Sequence, residues 1–176
     1  MNQYEIVVKG IKEGTHSFSF CIKDSFFKEM CNSEIKHANI SAKVSLEKKH
    51  NALQLFIKIR GKVNRLLCDV CAEEMSIEID NNSQILIKES YMELDDTDEI
   101  LYIKPTDHIV SIKQILFELI VLSIPQKRQH KIDEKGKKKC NIEMIQLIEK
   151  YSSPPEKRFD ERWSTLKNLT NNINIK

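Results

Sequence analysis

The sequence predicts an α+β fold: an antiparallel β-sheet or barrel-like core, one buried helix, short C-terminal helices and a zinc knuckle. Three observations predict it. Runs between Ala38 and Ile87 alternate apolar and polar residues with the two-residue period of a half-buried strand. The stretch Ile112 to Val121 is apolar on more than one helical face and is stopped by Pro125. Cys68 and Cys71 stand in Leu67-Cys68-Asp69-Val70-Cys71, a spacing that delivers two sulfur donors from one turn.

The elements follow in order. Tyr4, Ile6, Val7 and Val8 read as a first strand ending near Gly10. His16 to Ile22 alternates, and Asp24 or Ser25 can cap a short helix through Phe26, Phe27, Met30 and Cys31. Ile40, Ala42, Val44 and Leu46 form one long strand, and Leu53, Leu55, Ile57 and Ile59 the next after a turn at His50-Asn51. Gly61 is expected at a bulge, with Val63 to Leu67 continuing to the cysteine knuckle. Met75, Ile77 and Ile79 start the return strand, and Asp80-Asn81-Asn82 reads as an interruption before Ile85 and Ile87. Ser111 fits a helix N-cap with Gln114 completing a capping box, and a helix buried against the sheet follows. A short helix is expected from Ile142 to Lys150. Residues 1–150 thus read as one α+β domain. Residues 151–176 read as a Ser152-Ser153-Pro154-Pro155 linker and an amphipathic segment carrying Trp163, Leu166 and Leu169 at helical spacing.

Composition narrows the function. With 176 residues, 40% hydrophobic and 31% charged, the chain can bury a core without disulfides. The odd count of five cysteines, and a start without a basic segment and apolar h-region, point to the cytoplasm. The longest apolar run, Ile115 to Ile124, contains Glu118 and falls short of the roughly 20 residues a membrane span needs. Four glycines leave little material for a phosphate-cradling loop. The net charge of +2 is unevenly spread. Glu89, Glu93, Asp95, Asp96, Asp98 and Glu99 form an acidic stretch, and Lys127, Arg128, Lys131, Lys135, Lys137, Lys138 and Lys139 a basic one.

His130 and Cys140 flank much of that basic loop, and with Cys68 and Cys71 they could close a tetrahedral structural zinc site. Two other readings stand beside it. The cysteines could be ordinary buried thiols at a strand end, or a redox pair, although a redox Cys-x-x-Cys ordinarily opens a helix in a βαβ unit. Cys21 and Cys31 read as core residues, and His16, His37, His50 and His108 as solvated or locally hydrogen-bonded. Four protein donors would leave no open position for catalysis, and no His-x-Glu accompanies a Pro-Cys-x-x-Cys. A basic loop pinned at both ends loses less entropy on binding, so Lys127, Arg128, Lys131, Lys137, Lys138 and Lys139 are candidates for contacting RNA phosphates.

The landmarks also come in a recognisable order. A strand leads into Cys68-Asp69-Val70-Cys71, then an acidic stretch, then an apolar helix ending Leu122-Ser123-Ile124-Pro125. His130, Cys140 and a terminal Asp160-Glu161-Arg162-Trp163-x-x-Leu166-x-x-Leu169 complete the set. From Ile40 to Leu169 this resembles the large ribosomal RNA subunit accumulation protein family, the YceD family. The resemblance implies a cytoplasmic bacterial protein needed for 23S ribosomal RNA synthesis, processing or stability, with no established enzymatic activity. The implied partners are ribosomal RNA or a precursor of the large subunit, or a ribosomal protein, with no membrane and no small-molecule substrate. Two alternatives come from other classes. One is a metal-dependent RNA-processing enzyme using the Glu93 to Glu99 carboxylates; the other is an adaptor that binds through the Trp163 segment.

Overall fold

The computed structural model describes residues 3–30, 33–50, 52–92, 94–97, 99–131 and 140–152. The expected Trp163, Leu166 and Leu169 segment, Cys31, and Lys135 and Lys137 to Lys139 lie outside the described residues. The chain divides into two compact units, Met1–Cys140 and Asn141–Lys176.

The first unit is built on a five-stranded sheet in the order β2 (Gly14–Ile22), β3 (His37–Lys49), β4 (Ala52–Leu67), β5 (Glu74–Glu89) and β6 (Ile100–Ile103). Neighbours from β2 to β5 are antiparallel, and β6 joins β5 in parallel. The end strands β2 and β6 do not pair among the described residues, so the sheet is open rather than barrel-like. A second small sheet pairs β1 (Glu5–Val7) with β7 (Ile109–Ser111). Among the described residues the unit also has two helices, α1 (Asp24–Lys28) and α2 (Lys113–Leu122).

Alternation explains the layering. Ile40, Ala42, Val44 and Leu46 of β3 are fully buried with Leu55, Ile57 and Ile59 of β4. They share one core with Ile6, Phe26, Phe27, Ile112, Leu116 and Ile120 from the elements on that side. The other face of the sheet is mostly polar, with Phe56 of β4 a large apolar side chain exposed there. Burying a side chain of this size stabilises by about 1.5–3 kcal/mol, and the cluster is continuous. The second unit contributes α3 (Ile142–Tyr151), whose Asn141 side chain accepts from the Glu143 and Met144 N–H groups as an N-cap.

Several expectations are corrected. Asp80-Asn81-Asn82 does not interrupt the return strand; β5 runs unbroken, with Asn81 facing inwards and donating to Ser123 Oγ at 3.0 Å. That bond ties the sheet to the end of α2. Gly61 is not the bulge. It opposes Ile40, and a Cβ there would lie 2.2 Å from the Asn39 carbonyl oxygen, so the two backbones approach too closely for any side chain. The bulge lies further on, between Val63 and Leu66. Ser111 belongs to β7, and Ile112 takes the N-cap position of α2 without a side-chain cap. The helix is buried on one side, while Val121 and Leu122 are exposed. Asp24 does not cap α1; its carboxylate accepts from the Ala38 N–H at 3.0 Å and pairs with His37 Nδ1 at 2.9 Å. Cys21 is exposed on the outer face of β2, not in the core.

Candidate metal centre

The β4 bulge aims the first sulfur. Val63 pairs with Ile77 and Leu66 with Met75, so β4 holds one residue more than its partner there. Odd-numbered residues Leu55, Ile57, Ile59 and Val63 point to the core before the bulge, and Leu66 and Cys68 do so after it. Arg65 takes up the extra residue at φ 58° and directs its guanidinium Nε to both Glu74 carboxylate oxygens, 3.0 and 3.1 Å away. Without the bulge, Cys68 would face solvent.

The chain then folds into a tight knuckle. The Ala72 N–H donates to the Cys68 carbonyl at 2.9 Å, and the Cys68 N–H donates to the Glu73 carbonyl at 2.9 Å. Ala72 has φ 56°, a left-handed residue just after Cys71, from which the chain returns to β5 with the Glu73 carbonyl facing the Cys68 N–H. A second segment locks onto this turn. The Asp69 N–H donates to the Arg128 carbonyl at 2.8 Å, and the Arg128 N–H donates to Asp69 Oδ2 at 2.6 Å. The Arg128 guanidinium reaches Glu34 at 2.6 Å and Asp69 at 3.7 Å. These bonds carry His130 to the knuckle.

Four donors converge. Cys68 Sγ and Cys140 Sγ lie 3.9 Å apart, and His130 Nδ1 lies 3.4 Å from Cys71 Sγ and 3.6 Å from Cys140 Sγ. All four donor atoms fall within 4.8 Å of one another. Bonds of about 2.3 Å to sulfur and 2.0–2.1 Å to nitrogen give tetrahedral edges of roughly 3.8 Å between sulfurs and roughly 3.6 Å from sulfur to nitrogen. The donor set is therefore consistent with a zinc site. A disulfide is excluded at this separation, since an S–S bond is about 2.05 Å long. All three cysteines are buried and free. Coordination through Nδ1 leaves the ring proton on Nε2.

The electrostatics favour a cation. Burial opposes ionisation of the Cys68 thiol. The N–H groups of Cys71, Val70 and His130, together with the Cys71 side chain, nevertheless bring it down to about 6. Cys140 is pushed up by burial, and then by its contact with Cys68 and the negative charge there. A bound cation would stabilise both sulfurs as thiolates at once.

A family model described as large ribosomal RNA subunit accumulation protein YceD matches residues 55–170. The chain belongs to the YceD family. The match covers all four donors of this YceD-family chain, and membership implies a role in the accumulation of large-subunit ribosomal RNA. No curated protein and no solved structure gives a significant match.

The remaining candidates are placed unevenly. Lys127 and Lys131 are exposed and line one cleft beside His130, with Met75 and Ile77 of β5 opposite. Arg128 is only 20% exposed at its side chain, and its guanidinium is taken up by Glu34 and Asp69. The acidic stretch gathers no group of three metal donors among the described residues; Asp96 instead accepts from the Tyr102 N–H at 2.8 Å. No helix among the described residues is long and apolar enough to cross a membrane. Asp69 is the functional residue that pattern reading passed over. Its signal was an Asx side chain inside the knuckle, able to accept a backbone N–H from a distant segment.

Proposed function

We propose that this protein is a non-enzymatic ribosome-biogenesis factor supporting the synthesis, processing or stability of large-subunit (23S) ribosomal RNA. A structural zinc held by Cys68, Cys71, His130 and Cys140 pins the basic segment to the sheet. The observation that carries this reading is the Cys3His convergence inside a chain of the YceD family. Zinc with four protein ligands has no open position for substrate, which suits a clamp better than a catalyst.

In this reading Lys127 and Lys131, with Lys137, Lys138 and Lys139, contact RNA phosphates, and Arg128 positions the segment that bears them. The partner is ribosomal RNA or a precursor particle of the large subunit, with a ribosomal protein as a further contact, and the site of action is the cytoplasm. Replacing Lys137, Lys138 and Lys139 together by Ala is expected to weaken binding to precursor ribosomal RNA. It should also flatten the salt dependence by about 0.7–0.9 in log-log slope for each phosphate no longer neutralised. Unchanged affinity and slope would show that the loop does not bind the RNA. Turnover of that RNA by the purified protein with magnesium would show an enzyme instead.

A further inference from the structure

The outer face of the sheet carries an arrangement that core packing does not require. Cross-strand register places Ser19, Lys43, Lys58 and Asn82 in one row, on β2, β3, β4 and β5. The next row along places Ser17, Ser45, Phe56 and Gln84 side by side. Phe56 is 38% exposed, on the face opposite the buried Leu55 and Ile57. Lys43 and Lys58 are direct cross-strand neighbours and both are exposed. Like charges directly opposite each other destabilise a sheet. Arg60 and Lys62 on the same strand have carboxylate partners in Asp80 and Glu78, but no ion pair engages Lys43 or Lys58 among the described residues.

We propose that this face binds single-stranded RNA: Phe56 stacks a base, and Lys43 and Lys58 hold the adjoining phosphates. An anionic backbone would relieve the repulsion between the two lysines. An exposed aromatic ring on a flat sheet offers a stacking surface to any unpaired base, and Asn82 and Gln84 offer amides to base edges. A duplex keeps its bases stacked internally and cannot use the ring. The choice of RNA rests on the function proposed above, but the surface lies on the strands themselves and needs neither the zinc donors nor the lysine loop, so the two can fail separately.

The test uses full-length protein and a fluorescent 12-nucleotide single strand, with a duplex of the same sequence as control, read by anisotropy at several salt concentrations. Phe56→Leu is expected to weaken single-strand binding about 5- to 150-fold with the salt slope unchanged, and to leave duplex binding as it was. Lys43→Gln with Lys58→Gln is expected to flatten the slope by about 1.4, with no fall in melting temperature. Single-strand affinity unchanged in both variants overturns the proposal, even if the Lys137–Lys139 variant abolishes binding. Equal losses on single strand and duplex for Phe56→Leu also overturn it.

Discussion

At one end of β4, Leu55, Ile57 and Ile59 are sealed among side chains from neighbouring strands and from helices in the same core. At the other end, Cys68 lies beyond a bulge, in a knuckle held by Asp69, Arg128 and a ring of donors. The first region is stabilised by apolar area and keeps its shape without help. The second sits at the edge of that core and is held by a few polar bonds around donors spaced as in a zinc site. One strand thus runs from an apolar sheet into a corner of clustered sulfur and nitrogen donors, consistent with a zinc site, and the two should respond to different perturbations.

The largest separation is expected from Cys68→Ser. Losing a structural metal belongs among the changes that cost more than about 4 kcal/mol. The loss should appear as faster hydrogen exchange at the Asp69 and Arg128 amides, while the Ile57 and Ile59 amides stay protected. Uniform loss of protection would mean that sheet and knuckle form one cooperative unit. Leu55→Ala acts on the other region. It is expected to cost about 2–5 kcal/mol in denaturant unfolding and to leave zinc affinity unaltered in a chelator competition.

Asp69→Ala sharpens the boundary, because Asp69 joins the knuckle to Arg128 without binding metal itself. Zinc affinity is expected to fall about 10- to 100-fold, the usual effect of losing a group that orients ligands. No change would assign the orienting role to the chain between Pro125 and His130 alone. The smallest effect is expected at Asp24, which binds no metal donor and pairs with His37. Hydrogen bonding from the Ala38 N–H, and then His37, holds its carboxyl below the ordinary value. Its contribution is therefore present above about pH 4 and is lost as the pH falls through the lower folded value. Asp24→Asn should be less stable than the parent at pH 7, and the difference should vanish in strong acid. A difference that persists there would point to packing rather than charge.

The same contrast governs what could be read from the residues. The period of two in Ile40 to Leu46 and Leu53 to Ile59 reflects burial on one face, a local property, and the strands lie where it puts them. Asp80-Asn81-Asn82 misleads because turn chemistry and a polar strand face look alike; the inward Asn81 is satisfied by Ser123, a partner known only from the fold. The bulge at Asn64 and Arg65 breaks the alternation by one residue, a shift visible only once β5 is laid beside β4. The parallel pairing of β6 is equally non-local. At the site the donor types were legible because sulfur and imidazole are rare and spaced. The lock between Asp69 and Arg128 was not, since charged residues are common and most are solvated.

The most direct test is the metal content of untagged protein, measured by elemental analysis beside the Cys68→Ser variant. One zinc per chain in the parent, and its loss in the variant, is the expected result. A metal-free parent whose melting temperature is indifferent to chelator would contradict the zinc clamp.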